Sequence, residues 1–355
     1  MKKALTITIS LLFVFMQIHI PVSAEQTNNY GTGLLIDSYD EIEKHLETTT
    51  TYSVLPSSVD NTSKFPSPGS QGSQNSCVGW AVGYALKSGS EYRKRAWTVS
   101  GINHIFSPSY IYNQINDGAD SGSTIIDALE LIVDQGVCTL PYFPYNQSNY
   151  TLQPSPIQIA NANLYKASEF HTILGINSIK EKIAQNYGVV IGIDVYPDFR
   201  NLNSTNSIYD TVSGTKQDSH AICLIGYDDN MGSNGAFKFI NSWGTDWGCG
   251  GYGWIAYDTV ADSSPYFNSS YLNLVIGYYI QTSTDNYIMG DIDKDGIIGL
   301  QDARMALKGS QNLITLSAEQ FVLADVNGDA ILSDADSTEI LRVASGIEPK
   351  FSLYY

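Results

Sequence analysis

The chain has 355 residues and a formal net charge of −17 at pH 7, from 36 acidic and 19 basic side chains. This length is too great for one small domain and suits two. The acidic balance argues against nucleic acid or anionic lipid as a partner, because phosphate contacts require basic patches. It is typical of a soluble surface, or of carboxylates gathered around cations.

The first 24 residues have the pattern of a secretory signal peptide. Lys2 and Lys3 precede an almost entirely apolar run from Ala4 to Ile20, and small residues lead to Ala24. A membrane anchor is the alternative, but the run is at the short end for a span and the small-residue exit favours cleavage. We therefore expect a secreted protein with no membrane span after signal removal.

Residues 25–54 form a short, Thr-rich stretch before the first domain. Their position allows two interpretations. They are either a short pro-segment that blocks a site until it is removed, or a plain linker. The linker is the favoured interpretation.

A thiol, an imidazole and an amide follow one another in the order of a cysteine-nucleophile hydrolase. Cys77 ends a stretch that begins at Gln71, His220 lies 143 residues later, and Asn241 follows after a further 21. The thiolate attacks, and one His both stabilises its charge and carries the proton for the leaving group. An Asn side-chain oxygen can orient that His.

The predicted elements begin with helices and continue with strands. A helix from Ser76 places Cys77 in its first turn, where backbone amides favour a thiolate. Ser107-Pro108 begins a second helix, and a third runs from Ser123 to Gln135 and ends at Gly136. Four later runs rich in β-branched and aromatic residues predict strands. These runs are Gly188 to Tyr196, Ala221 to Tyr227, Ala236 to Asn241 and Gly253 to Tyr257.

These motifs resemble those of the papain-like cysteine peptidases over residues 55–281. The resemblance rests on Gln71 before Cys77, on the apolar run after His220, and on Asn241-Ser242-Trp243-Gly244. It implies an α+β fold whose helical lobe and β-barrel-like lobe meet at a cleft. It also implies that Cys77 is the nucleophile, that His220 and Asn241 assist it, and that the Gln71 side chain and the Cys77 amide form an oxyanion hole.

The same resemblance implies the residues that contact a peptide or protein substrate. Gly122 and Ser123 lie in a Gly-rich loop whose backbone pairs with a bound peptide in extended form. Ser219 helps to shape a side-chain pocket, and Trp243 shields the His–Asn contact from water. No cofactor is expected for catalysis.

The motif around the nucleophile departs from the family pattern. The usual Cys-Gly-Ser-Cys-Trp reads Gln74-Asn75-Ser76-Cys77-Val78, so the disulfide that begins at the first of those cysteines is absent. Three further cysteines stand at positions 138, 223 and 249. Cys138, Cys223 and Cys249 are either buried thiols or one pair with one left over, and the sequence does not choose.

An internal repeat follows a polar linker at residues 282–288. Two twelve-residue loops begin at Asp291 and Asp325, with oxygen ligands at the EF-hand positions one, three, five and twelve and a carbonyl at seven. The first loop offers Asp291, Asp293, Asp295, Ile297 and Asp302, and the second offers Asp325, Asn327, Asp329, Ile331 and Asp336. Ala330 stands where a Gly makes the sharp turn, so we expect the second site to be weaker.

Residues 289–350 resemble a type I dockerin. The resemblance implies a small all-α module with two Ca²⁺ ions, a cohesin partner on a scaffolding protein, and extracellular assembly on a cellulosome. The residues implied in partner binding are Leu300, Gln301, Lys308, Asp334, Ala335 and Arg342. A calcium-stabilised domain without a partner is the alternative.

Three functions are compatible with these motifs. The first is a secreted cysteine endopeptidase anchored to a scaffold by calcium-dependent dockerin–cohesin binding. The second is a non-catalytic papain-like binding or inhibitory module of the cellulosome, and the third is transpeptidation through the same acyl-enzyme. The complete set of Cys77, His220, Asn241 and Gln71 favours the endopeptidase over a retired site.

Overall fold

The computed structural model describes residues 30–47, 54–97, 101–266 and 275–354. The predicted signal peptide, residues 1–24, lies outside these ranges. Within them, no helix combines the length and the apolar character needed to cross a bilayer.

The helices of the described ranges form one lobe and a C-terminal module, with a few more on the sheet. The α-helices are α1 (Tyr39–Lys44), α2 (Ser88–Arg95), α3 (Pro108–Ile115), α4 (Ile125–Asp134), α5 (Pro156–Asn163), α6 (Ile176–Ala184), α7 (Pro197–Arg200), α8 (Tyr257–Asp262), α9 (Leu300–Ser310), α10 (Ala318–Ala324) and α11 (Asp334–Ala344). A π-helix covers Gly79–Lys87, and single 3-10 turns cover Thr62–Lys64, Ile102–His104 and Ser352–Tyr354.

The three predicted helices of the first lobe are present. Helical backbone begins at Cys77, continues as the π-helix and ends as α2. The Ser107 hydroxyl accepts a hydrogen bond from the Tyr110 amide and caps α3. Helix α4 begins at Ile125, later than expected, because Thr124 is the residue that caps its amides.

The second lobe is one eight-stranded sheet. Its strands are β1 (Ser58–Asp60), β2 (Ala167–Leu174), β3 (Val189–Val195), β4 (Ile208–Tyr209), β5 (Asp218–Asp228), β6 (Ala236–Ile240), β7 (Tyr252–Ala256) and β8 (Ile276–Thr282). The order is β2-β8-β3-β5-β6-β7-β4, with β1 paired to β5. The four predicted strands correspond to β3, β5, β6 and β7.

The register of the sheet sets the spacing of two site residues. His220 lies on β5 and pairs with Ile193 of β3. Cys223 pairs with Ile240, the last residue of β6, so Asn241 follows directly at the same end of the sheet. The strands at this point are buried on both faces, so a one-residue slip, which moves every side chain to the opposite face of the sheet, would disrupt the packing on either side.

The C-terminal module packs on the helical lobe rather than standing apart from it. Helix α10 contacts α5, and a single apolar cluster includes buried residues of both parts, among them Ile132 and Val322. The linker is fixed to the lobe, since the Arg95 guanidinium binds Asp285 through two nitrogens at 2.6 and 2.9 Å. The packing continues past residue 350, where Phe351 and Leu353 are buried.

All four cysteines are free thiols. Cys77, Cys138 and Cys223 are buried, and Cys249 is exposed. Of the two possibilities left by the sequence, the structure contains unpaired thiols, but Cys249 is exposed rather than buried as expected.

Candidate active site

The imidazole of His220 is held by an amide oxygen. Its Nε2 lies 2.8 Å from Asn241 Oδ1, and its Nδ1 is buried with no hydrogen-bond partner. The Trp243 indole covers the pair, with its ring centroid 4.8 Å from that of His220. This arrangement leaves Nδ1 as the nitrogen that can exchange a proton with a neighbouring thiol.

Two donors converge on one carbonyl oxygen beside the thiol. The Cys77 amide donates to the Thr32 carbonyl at 3.3 Å, and Gln71 Nε2 donates to the same oxygen at 3.2 Å. The Gln71 amide group is fixed because its Oε1 accepts from the Ser242 hydroxyl at 2.5 Å. A pair of fixed N–H donors aimed at one oxygen is the geometry that stabilises the oxyanion of an acyl-transfer reaction.

The chain upstream of Leu55 runs through the cleft. Gly31 accepts from the Trp243 indole N–H at 2.7 Å, and the Tyr30 ring stacks on Trp243 with centroids 4.8 Å apart. Further along, the Ser123 amide donates to the Gly33 carbonyl at 3.0 Å, and a parallel bridge joins Leu34 to Ser123. We call residues 30–36 the covering segment.

The covering segment touches all four residues predicted to contact substrate. Ser123 and Trp243 bind it as described, and the Ser219 carbonyl accepts from the Leu34 amide at 3.2 Å. A Cβ added to Gly122 would lie 2.2 Å from the Gly33 carbonyl oxygen, so the segment also lies against that glycine. The structure therefore brings Gly122, Ser123, Ser219 and Trp243 to one cleft.

The side chain of Leu34 fills an apolar pocket of the sheet lobe. Leu34 is 4% exposed. A Cβ built on Gly192 would meet Leu34 Cδ2 at 2.6 Å, Pro265 Cγ at 3.2 Å and Tyr266 Cε2 at 3.7 Å. The absence of a side chain at position 192 is thus what makes room for a branched aliphatic group here.

The covering segment is anchored at its end by a carboxylate. Asp37 accepts from the Ile126 amide of α4, and from the Tyr266 and Tyr278 hydroxyls, each at 3.0 Å. Burial raises the pKa of Asp37 despite these three donors. The anchor contacts both lobes, so it fixes the segment across the cleft.

Burial sets the protonation states of the covered pair. It raises the pKa of the Cys77 thiol to about 12, although nearby backbone amides, led by that of Ala221, lower it. Burial lowers the pKa of His220 to about 4, against the opposing effect of the hydrogen bond that its Nε2 donates to Asn241 Oδ1. In the covered cleft the pair is therefore a neutral thiol and a neutral imidazole at pH 7, rather than the reactive ion pair.

Hydrogen bonds join the nucleophile loop, residues 71–76 directly before Cys77, to the wall of the cleft. This loop lacks the first cysteine of the usual family motif, and so lacks the disulfide that begins there. The Asn75 amide donates to Asp120 Oδ1 at 2.9 Å, and Asn75 Nδ2 donates to the Asp120 carbonyl at 2.7 Å. The Tyr112 hydroxyl donates to the same carboxylate at 2.6 Å. Sequence reasoning missed these residues, although Asp120 lies only two residues before Gly122, in the same Gly-rich loop.

The sequence also did not reveal a second set of hydrogen bonds that hold the loop from Gln71 to Ser76. The Tyr145 hydroxyl donates to the Gln71 carbonyl at 2.8 Å and lies 3.0 Å from the Ser76 hydroxyl. Gln147 Oε1 accepts from the Ser73 amide at 3.2 Å. An aromatic residue after a Pro carries no sequence signal for such a role, because the contact depends on how the lobe folds.

The first repeat loop converges on a point. Oxygens of Asp291, Asp293 and Asp302 lie within 4.8 Å of one another. The Asp295 amide donates to Asp291 and Asp293, and the Gly296 amide donates to Asp291 at 3.0 Å. Three converging carboxylates with further oxygens in reach fit a hard divalent cation such as Ca²⁺.

The second loop repeats this pattern of amide–carboxylate hydrogen bonds, and one of its carboxylate oxygens accepts no hydrogen bond of normal geometry. The Ala330 amide donates to Asp325 at 2.9 Å, as Gly296 does to Asp291. Asp336 is completely buried, and its Oδ1 accepts no hydrogen bond of normal geometry. A buried carboxylate oxygen that accepts no hydrogen bond of normal geometry fits a cation ligand. Ala330 adopts φ +66°, the conformation that Gly296 adopts at +89° without a Cβ, so the sharp turn is strained here.

The residues predicted to bind a partner lie on the open side of the module. Leu300 is 63% exposed. The other five are also exposed: Gln301, Lys308, Asp334, Ala335 and Arg342. The helical lobe packs against α10 and the C-terminal residues. The faces of α9 and α11 that carry these six residues, here called the repeat faces, remain exposed.

Comparisons with known proteins agree with this geometry. Residues 55–268 match the profile described as papain family cysteine protease. An uncharacterised peptidase C1-like protein of Acanthamoeba polyphaga mimivirus is 26% identical over 247 residues, which cover 64% of this chain and 75% of that protein. Peptidase 1 of Dermatophagoides pteronyssinus is 29% identical over 178 residues, covering 45% of this chain and 53% of that one. Xylellain, a cysteine protease from Xylella fastidiosa, shares the fold with a TM-score of 0.57 and 24% identity, over 72% of this chain and 97% of that structure.

Proposed function

The chain belongs to the papain family of cysteine proteases, and from that premise we propose that it is a secreted endopeptidase made in a covered form. The nucleophile is Cys77, His220 is the proton carrier, and Asn241 orients it. The observation that carries this assignment is the convergence of the Cys77 amide and Gln71 Nε2 on one carbonyl oxygen. That oxygen stands where the oxyanion of a substrate would form.

In the proposed reaction the ion pair forms once the cleft is open to water. The Cys77 thiolate attacks the scissile carbonyl carbon, a C–S bond forms, and negative charge on oxygen is held by Gln71 and the Cys77 amide. The carbonyl then re-forms, the C–N bond breaks, and imidazolium His220 donates its Nδ1 proton to the leaving amine. Water, deprotonated by His220, attacks the acyl-enzyme and releases the acid product with the free thiol.

The covering segment is proposed to hold this site inactive. It occupies the oxyanion position through Thr32 and the apolar pocket through Leu34. Its removal exposes the thiol and the imidazole to water, which reverses the main cause of both pKa shifts. We therefore assign residues 25–54 as a pro-segment rather than a linker.

The pocket that holds Leu34 supports a substrate preference. It is apolar, lies against Ser219 and has the Gly192 backbone as its floor. A substrate with a Leu or similarly branched aliphatic side chain at the matching position fills it, whereas a charged one would be buried without a partner. A peptide library digested by the uncovered enzyme tests this, and selection of acidic or basic residues would contradict it.

The C-terminal module is proposed to anchor the enzyme. The converging carboxylates of loop one and the orphaned Asp336 oxygen support two Ca²⁺ sites, and the exposed repeat faces support binding of a cohesin on a cellulosomal scaffold. Calcium supplies the charge that folds the loops around it. Pull-down of the full chain on an immobilised cohesin, with calcium and with chelator, tests the assignment. Equal capture in both would contradict it.

One observation favours the second candidate, a non-catalytic binding or inhibitory module. The cleft is already occupied by the chain itself, as it would be in a site that never turns over. Mass spectrometry of the secreted protein, together with hydrolysis of a peptide library, separates the two. A chain that stays intact through residue 30 and hydrolyses nothing would support the module.

A further inference from the structure

The second repeat loop lies at the contact between the C-terminal module and the peptidase. Asp325 holds the first ligand position of that loop and is 1% exposed. Its Oδ2 accepts a hydrogen bond from the Tyr142 hydroxyl of the helical lobe at 2.6 Å. Asn327, at the third position, accepts through its carbonyl from Asn103 Nδ2 at 2.9 Å. The peptidase thus contacts two of the five ligand residues.

We propose that the peptidase domain completes the outer shell of the second calcium site, so that calcium binding and docking of the module stabilise each other. The inference rests on the proposed calcium module. The Tyr142 hydroxyl orients the Asp325 carboxylate, and Asn103 fixes the backbone that carries the neighbouring ligand. Partners of this kind, one bond beyond the ligands, change metal affinity by about 10–100-fold.

The loop itself contains a buried carboxylate oxygen that a cation could bind. Asp336 closes the loop at position twelve, is completely buried, and keeps Oδ1 without a hydrogen bond of normal geometry. Its Oδ2 accepts a hydrogen bond from the Ser333 amide at 2.9 Å. A carboxylate buried in this way is stabilised when a cation binds the free oxygen.

Further contacts between the helical lobe and the C-terminal residues surround these two hydrogen bonds. The His104 ring nitrogen Nε2 lies 2.7 Å from the Leu353 carbonyl, and Trp97 stacks on His104 with centroids 4.5 Å apart. A Cβ on Gly328, between the ligand residues Asn327 and Asp329, would meet Leu353 Cδ1 at 2.8 Å. Loop two is therefore enclosed between the helical lobe and the C-terminal residues of the module.

Loop one provides the internal comparison. The hydrogen bonds that the structure shows to the carboxylates of Asp291, Asp293 and Asp302 all come from amides of the same loop. Its affinity for calcium should not depend on the peptidase. Only the second site should respond to a change in the helical lobe, and linkage then requires that calcium at loop two strengthens docking by the same factor.

Calcium titration of the full chain by calorimetry tests the proposal. Two changes are made in every protein: Cys77→Ala prevents self-digestion, and Asp291→Ala silences loop one. Adding Tyr142→Phe should weaken the remaining site about tenfold, since it deletes one orienting donor. Tyr110→Phe is the matched control, because its hydroxyl bonds to Gln135 of the same lobe, at 3.4 Å, rather than to a ligand residue.

Two further measurements keep the outcome decisive. Asn103→Ala should weaken the same site without touching the buried core, which covers the case that Tyr142→Phe is poorly folded. The rise in thermal midpoint on adding calcium should also shrink in both variants. Equal affinity in the reference protein and in both variants would overturn the shared site alone. A reference protein that takes up no calcium at loop two would overturn the shared site and the two-site calcium module together.

Discussion

Replacing Gly33 with Ala should open the cleft without any proteolysis. Gly33 lies in the middle of the covering segment at φ +107°. A Cβ there would stand 2.2 Å from the Asn75 carbonyl oxygen and 2.6 Å from the Asn75 carbonyl carbon. These are backbone atoms of the nucleophile loop, so no side-chain rotation can relieve the contact. The segment must leave the cleft or displace the loop.

The size of the effect follows from two costs. A non-Gly residue in such a backbone conformation costs about 1–3 kcal/mol. Overpacking against a fixed neighbour costs about 1–3 kcal/mol more. At tenfold per roughly 1.4 kcal/mol, the ratio of covered to open cleft should fall by on the order of 10–10⁴-fold. Asp37 keeps the rest of the pro-segment attached, so the fold should remain stable.

The assay is the initial rate of peptide hydrolysis in reducing buffer, with mass spectrometry to show that the chain is still intact. Gly232→Ala is the matched control, since Gly232 has φ +66° but no atom within 4 Å of an added Cβ. We expect at least tenfold faster hydrolysis for Gly33→Ala and no change for the control. Equal rates in all three proteins, with equal thiol labelling, would refute the inhibitory role of the segment.

Three further predictions concern the pKa of the Cys77 thiol, the relative loss of activity on replacing Cys77 or Asn241, and the dependence of hydrolysis on calcium. Alkylation of Cys77 by iodoacetamide should be slow below about pH 10 in the covered chain, because burial raises the pKa of the thiol to about 12; Gly33→Ala should bring fast labelling near pH 7, and identical pH profiles would contradict this. Cys77→Ala should abolish hydrolysis, whereas Asn241→Ala should leave about 1–10% of it, since His220 loses only its orienter; equal losses in kcat would reverse that ranking. Chelator should leave hydrolysis by the uncovered enzyme within about twofold, because the converging carboxylates of the described residues lie in the module; a larger loss would reveal a calcium requirement for catalysis.

Local sequence signals were sufficient for the elements that carry the site. Capping residues and Pro at the first turn located α3, because such ends depend on neighbouring residues alone. Runs of β-branched residues located β3 and β5, since both strands are buried on two faces. Strands β2 and β8 were missed. Polar residues interrupt the pattern of β2, and the two strands pair across more than a hundred residues of chain.

The covering segment shows what the sequence does not reveal. Nothing in the composition of residues 30–36 distinguishes an inhibitor from a linker, because its binding uses mainly backbone groups. The sequence does not reveal the Asn75–Asp120 contact either, since any Asn and Asp can form it once the fold brings them together. The docking of loop two on Tyr142 depends on the path of the linker, which local patterns do not specify.

Covalent labelling of the Gly33→Ala protein with a thiol-directed epoxide, followed by peptide mapping, tests whether Cys77 is the nucleophile. We expect one adduct per chain, on Cys77, and loss of peptide hydrolysis in proportion to labelling. We also expect that prior incubation with a Leu-containing substrate slows the labelling, because both occupy the same cleft. Full hydrolysis after stoichiometric labelling of Cys77, or unimpaired hydrolysis by Cys77→Ala, would contradict this assignment.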